Sequence, residues 1–217
     1  MPTIERTIAT ATHGRYLVVP AESGAAPLLV GFHGYAEAAE AQLNRLLAIP
    51  GAGRWTIVCV QGLHRFYQRR TDEVIASWMT RQDRELAIAD NVAYVDAVVA
   101  AAAREWRTAP STVFAGFSQG VAMAFRAACG ISRRVDGVIA AGGDVPPELE
   151  PEALARVKRV VICRGRRDEW YTAEKLADDV RRLRAAGVDV RDVEFEGGHE
   201  WSSPVVDAAG EFLAATA

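Results

Sequence analysis

Short runs of apolar residues, separated by helical stripes, constrain this chain most. The runs fall at 28–32, 56–60, 112–115, 135–141 and 160–163. A strand that is apolar on both faces must be covered on both sides, as happens in a parallel sheet sandwiched between helices. The intervening segments supply those helices. Ile88, Val92, Val95 and Val99 form one stripe of a long helix expected to end near Arg107. Leu176, Val180 and Leu183 form another, closed by Ala186-Gly187, and Leu43, Leu46 and Leu47 mark a shorter one before Pro50-Gly51. A further strand is expected at 188–195 and a last helix from about Ser203. Residues 3–9 and 15–19 alternate weakly in polarity around His13-Gly14, which predicts a hairpin. The expected class is therefore α/β: a mostly parallel central sheet, helices on both faces and an antiparallel N-terminal edge. No repeat or linker-like stretch divides the chain, so a single domain over 1–217 is expected.

Composition narrows the function. The net charge of −3 gives no electrostatic case for nucleic acid or an anionic membrane. Cys59, Cys129 and Cys163 are far apart in apolar runs, and their odd number is no disulfide framework. No Cys or His cluster has metal-ligand spacing, and no Gly-rich dinucleotide loop opens the first parallel unit. No metal or organic cofactor is expected. Glu5 and Arg6 stand where a secretory leader would be apolar, and no long unbroken apolar segment predicts a membrane span. A soluble cytoplasmic protein is expected. Its oligomeric state, a homodimer included, is left open.

The chemistry points to Gly116-Phe117-Ser118-Gln119-Gly120. In a chain with 18 glycines, chance produces G-x-S-x-G about 5% of the time, so context must decide. Here the motif follows a predicted strand and precedes a helical run at 121–129. That is the setting of a nucleophile elbow, a sharp strand-to-helix turn that exposes a serine. A helix N-cap is the plainer reading of Ser118, but an N-cap needs neither glycine. A serine nucleophile needs a base. His199, after the last predicted strand, shares the C-terminal sheet edge with Ser118, where ligands of such sheets bind. Asp168 follows the preceding strand and completes the order Ser…Asp…His; Asp144 and Glu169 are rivals for the acid. Oxyanion donors are expected from the backbone N–H groups of Gln119 and Tyr35. His33 reads as a packer of the Tyr35 loop rather than a second base.

These motifs resemble the α/β-hydrolase fold, and more narrowly the phospholipase/carboxylesterase family of small esterases akin to acyl-protein thioesterases. By that resemblance Ser118 in GFSQG matches the nucleophile, Asp168 in GRRDEWY the acid, His199 in GGHEW the base and His33-Gly34 the start of the oxyanion loop. Trp78 matches an aromatic carried before the long helix. The family usually has a second glycine shortly after the His-Gly pair, where this chain has Tyr35-Ala36. Trp170-Tyr171 after the acid is a further departure.

No insertion exceeds 61–80, so no cap domain is expected. Phe66, Trp78, Met79, Trp170 and Trp201 flank predicted site loops and are expected to wall the substrate site. The Arg69-Arg70 pair reads as solvated. The expected substrate is a small-molecule ester or thioester with a short-to-medium acyl chain. A non-catalytic binding protein on the same fold, and a serine peptidase or acyltransferase, are the alternatives.

Overall fold

The computed structural model describes residues 2–22 and 24–216. Its main sheet is built from β1 (Arg15–Val19), β2 (Leu28–Phe32), β3 (Thr56–Gln61), β6 (Thr112–Phe117), β7 (Gly137–Ala141), β8 (Arg159–Gly165) and β9 (Asp189–Phe195). The spatial order is β1-β3-β2-β6-β7-β8-β9, with β1 antiparallel to β3 and every other pair parallel. A separate hairpin, β4 (His64–Tyr67) and β5 (Val74–Ser77), projects from the segment after β3.

Alternation along the strands divides the core in two. Leu28, Val30, Phe32, Val58, Val60, Val138 and Ile162 point to one face. It is covered by α2 (Arg84–Glu105), α3 (Gln119–Gly130), the short α4 (Pro151–Leu154) and α5 (Ala173–Ala185). Leu29, Ile57, Cys59, Val113, Ile139 and Cys163 point to the other, under α1 (Ala39–Leu47) and α6 (Ser203–Ala214). The three cysteines are free and buried.

The helix α2 is long and apolar enough to cross a membrane by length and composition alone. Its stripe of Ala87, Asn91, Val95, Val98, Val99 and Ala102 is instead buried in the protein, and Asp96 on the same helix binds the Ser132 backbone and hydroxyl. It is a core helix.

The N-terminal hairpin is a correction. Residues 3–9 form no strand, and β1 pairs with β3 across the sheet rather than with its own predecessor. Ile4 and Ile8 are 68% and 92% exposed, so the weak alternation has no apolar surface to cover. Arg69 and Arg70 are exposed, as expected.

One buried acid sets a pH dependence. Asp179 on α5 accepts the Val145 N–H at 3.0 Å and the Tyr171 hydroxyl at 3.0 Å through the same oxygen, Oδ2. Burial pushes its carboxyl up to about 6, against those two hydrogen bonds and the Arg182 guanidinium 3.6 Å away. The folded state therefore keeps a proton that the unfolded chain releases near pH 4, and stability from this group falls as pH rises from about 4 to 6. Asp179→Asn retains an acceptor oxygen without the charge. It is expected to stabilise the fold by about 2 kcal/mol at pH 7.5, with the gain vanishing toward pH 4. Thermal melts of both proteins across that range measure this; a gain that grows toward low pH contradicts it.

Candidate active site

Five parallel strands deliver the site from their C-terminal ends. At the end of β6, Ser118 takes φ 53° and ψ −122°, a conformation that costs a non-glycine residue about 1–3 kcal/mol. The Ser118 N–H donates to Ala141 O of the neighbouring β7 at 2.9 Å, which holds the turn. Both motif glycines answer to close packing. A Cβ on Gly116 would lie 2.5 Å from Gly120 O, and one on Gly120 would lie 2.2 Å from Phe32 O. The start of α3 is thereby pressed against the end of β2. Ser118 has no side-chain capping bond, so the N-cap reading fails.

His199 must reach Ser118 across three strand spacings, about 14 Å. The loop after β9 folds back to do so. Arg166 N–H donates to Phe195 O at 2.8 Å, and Arg167 N–H to Gly197 O at 2.8 Å. A Cβ on Gly165 would meet Gly198 O at 2.2 Å, so any side chain there would lift this loop away. In the folded loop His199 Nε2 lies 2.9 Å from Ser118 Oγ, and its Nδ1 lies 2.8 Å from Asp168 Oδ2. The ring tilts against Phe117 at 5.1 Å.

The Asp168 side chain is 1% exposed and fixed at both oxygens. Oδ1 accepts the N–H groups of Trp170 and Tyr171, each at 2.9 Å. The turn they belong to is anchored by buried Arg164. Its Nε donates to Tyr171 O at 2.7 Å, and its guanidinium also binds Arg166 O and Glu194. Neither rival acid stands at the histidine. Asp144 pairs with Lys175 at 3.1 Å, and Glu169 is exposed.

The loop after β2 is held as firmly. His33 is buried, with Nδ1 2.7 Å from Gly34 O and Nε2 accepting the Gly62 N–H at 3.0 Å. Both ring nitrogens are used, and burial lowers its pKa, so it is a neutral packing group. Gly34 N–H donates to Glu37 Oε2 at 2.7 Å, and Arg45 grips both oxygens of Glu37 at 2.6 Å. Burial alone would raise the Glu37 carboxyl; Arg45 and the Gly34 N–H outweigh it and keep it ionised. Arg45 also lies 4.2 Å over the Phe117 ring. Ala36 N–H donates to Ala76 O at 3.0 Å. Between these two committed amides, the Tyr35 N–H has no partner among the described residues. Ala36 sits at φ 58°, in the left-handed region that favours glycine, at a cost of about 1 kcal/mol. The loop thus adopts a glycine-type bend without the glycine. The Gln119 N–H, first in α3, has no intrahelical acceptor.

Only part of the expected substrate wall is at the site. A cleft of about 220 Å³ opens beside Ser118, lined by Gln119, Ala122, Gly142, Gly143, Asp144, Trp170, Lys175 and His199. Trp170 is therefore in place. Trp78 is not: it is fully buried, stacks on His33 and donates from Nε1 to His33 O at 2.8 Å. Its indole packs the core under the oxyanion loop. Met79 is half-buried, and its carbonyl accepts from Gln119 Nε2 at 3.2 Å. Phe66 stands on the β4–β5 hairpin against Tyr35, ring to ring at 6.1 Å, and Trp201 packs half-buried on the α1–α6 core. Sequence reasoning missed Glu37, Arg45, Arg164 and Lys175.

A serine hydroxyl, an imidazole and a buried carboxylate in hydrogen-bonded series can activate the hydroxyl for acyl transfer. The family model described as phospholipase/carboxylesterase matches residues 13–217. The chain belongs to the phospholipase/carboxylesterase family. By that membership it is a hydrolase of carboxylic esters or thioesters. Among curated proteins no sequence matches it. Solved structures resemble it closely in fold. A carboxylesterase from Mesorhizobium loti superposes with TM-score 0.77 at 20% identity, over 93% of this chain and 94% of that one. Esterase PE8 gives 0.75 at 22%, over 95% and 100%. Zea mays acyl-protein thioesterase 2 gives 0.72 at 18%, over 94% and 99%. No cap domain lies over the site among the described residues of this family member.

Proposed function

We propose that this family member hydrolyses short acyl esters or thioesters through an acyl-enzyme on Ser118, as one domain over 1–217. The observation that carries the reading is the unbroken series Ser118 Oγ, His199 Nε2, His199 Nδ1, Asp168 Oδ2, with steps of 2.9 and 2.8 Å. Buried Asp168 accepts the hydrogen bond from Nδ1–H and so keeps the proton on that nitrogen, which leaves Nε2 as the free base. It accepts the Ser118 proton as Oγ attacks the carbonyl, then gives that proton to the departing alcohol or thiol. His199 next deprotonates a water that cleaves the acyl-enzyme. The N–H groups of Gln119 and Tyr35 are the donors assigned to the oxyanion.

Chain length follows from the cleft. At about 220 Å³ it is smaller than the sites that hold drug-sized ligands. Each methylene buried contributes up to about 0.8 kcal/mol. The expected result with a series of 4-nitrophenyl esters is a kcat/KM that rises from acetyl to butyryl or hexanoyl and is flat or falling by octanoyl. A value still rising through dodecanoyl contradicts the short-chain reading.

A further inference from the structure

The cleft beside the serine is walled by charge as well as by an indole. Lys175 and Asp144 both line it, paired at 3.1 Å, and each side chain is 47% exposed. An ion pair so open to water is held weakly and is readily replaced by another anion. An ammonium has three N–H donors. The Trp170 carbonyl takes one at 2.8 Å and the two Asp144 oxygens lie at 3.1 and 3.4 Å, so Asp144 is the exposed partner that an incoming carboxylate would displace. Lys175 also lies in the first turn of α5, where the positive end of the helix dipole disfavours a cation. Its position is thus poor for the helix and good for the cleft. The N-terminus of α3, which begins at Gln119, faces the same space and adds a second positive end. Asp168 is buried behind His199, so among the described residues Asp144 is the one carboxylate that lines the cleft.

Resting on the assignment of Ser118 as nucleophile, we infer that the enzyme prefers esters carrying a carboxylate a few bonds from the reacting carbonyl, and that Lys175 grips that carboxylate. The reaction stays simple hydrolysis: water adds, the acyl–oxygen bond breaks, and one proton is released per turnover at neutral pH. Lys175 is a specificity residue and touches no reacting atom.

The test counts that proton by pH-stat titration in two arms. One places the carboxylate on the acyl side, with monoethyl succinate against ethyl pentanoate. The other places it on the alcohol side, with acetoxyacetate against propyl acetate. The expected result is a wild-type kcat/KM ratio in favour of the anionic ester in at least one arm, and that arm identifies the side recognised. Lys175→Met should lower the ratio about tenfold, and Lys175→Arg should keep most of it. Asp144→Asn, which frees the ammonium, should raise the ratio, a direction that general damage to the Trp170 turn does not produce. Wild-type preference for the neutral ester in both arms overturns the inference. So does a ratio that Lys175→Met and Asp144→Asn leave alike. If instead no ester is turned over at all, the assignment of Ser118 has failed first.

Discussion

Ser118→Ala is expected to lower kcat by about 10⁶-fold, the scale seen when the nucleophile of a serine hydrolase is removed. The fold should survive. The hydroxyl makes no capping bond, and its partner, the His199 side chain, is 26% exposed, so water can replace it. Alanine also inherits the same φ of 53° and the same backbone bond to Ala141, so the turn is neither relaxed nor newly strained. Steady-state hydrolysis of a butyryl ester and labelling with a fluorophosphonate probe measure the effect. The wild-type chain should take the probe once, at Ser118, and the variant not at all. Labelling that persists in the variant, or more than about a hundredth of the activity, would remove Ser118 from the mechanism.

Much of this fold is legible because its signals are local and repeated. The apolar run at 28–32 coincides with β2 to the residue, since a strand buried on both faces has no polar position at which its ends could slip. The elbow is legible for a related reason. Two glycines and a serine at fixed spacing report a packing demand between β6, α3 and β2, and the short distances at Gly116 and Gly120 are that demand. Residues 3–9 misled because alternation is informative only when something apolar lies beneath it, and Ile4 and Ile8 face water.

The supports of the site were not legible, and the cause is that their partners sit in irregular turns and loops rather than at a regular spacing. Glu37, in the loop before α1, and Arg45, on α1, form a two-point clamp under the oxyanion loop, and Arg164 reaches forward to Tyr171 O and sideways to Glu194. Such pairs have no period. An arginine ending an apolar run, as in Val160-Val161-Ile162-Cys163-Arg164, was the one hint, since a charge at the end of a buried strand requires partners. Trp78 shows the opposite limit. An aromatic near a site loop suits either a wall or a core, and its full burial and its Nε1 bond to His33 O separate the two. Lys175 escaped because five residues of side-chain-neutral spacing from Trp170 say nothing until the turn brings its ammonium to the cleft.

Asp168→Asn should cost about 10⁴ in kcat, the loss known for the equivalent change in a serine protease. The surroundings of Asp168 decide how the amide would sit. Oδ1 accepts two backbone N–H groups, from Trp170 and Tyr171, and Oδ2 faces His199 Nδ1. Asparagine has one acceptor oxygen and one donor nitrogen. Turning the nitrogen toward the two N–H groups would oppose donor to donor in a buried turn, so the oxygen must stay there. The amide nitrogen then faces His199 and donates to Nδ1. That fixes the imidazole with its proton on Nε2, where it cannot accept from the Ser118 hydroxyl. The base is lost although every side chain keeps its place. The ¹⁵N resonances of His199 should therefore report a proton on Nδ1 in the wild type and on Nε2 in the variant, with the melting temperature little changed. Asp144→Asn should leave the wild-type tautomer and cost far less with a neutral ester. A tenfold or smaller loss in Asp168→Asn, or a larger one in Asp144→Asn, would assign the acid to the other carboxylate.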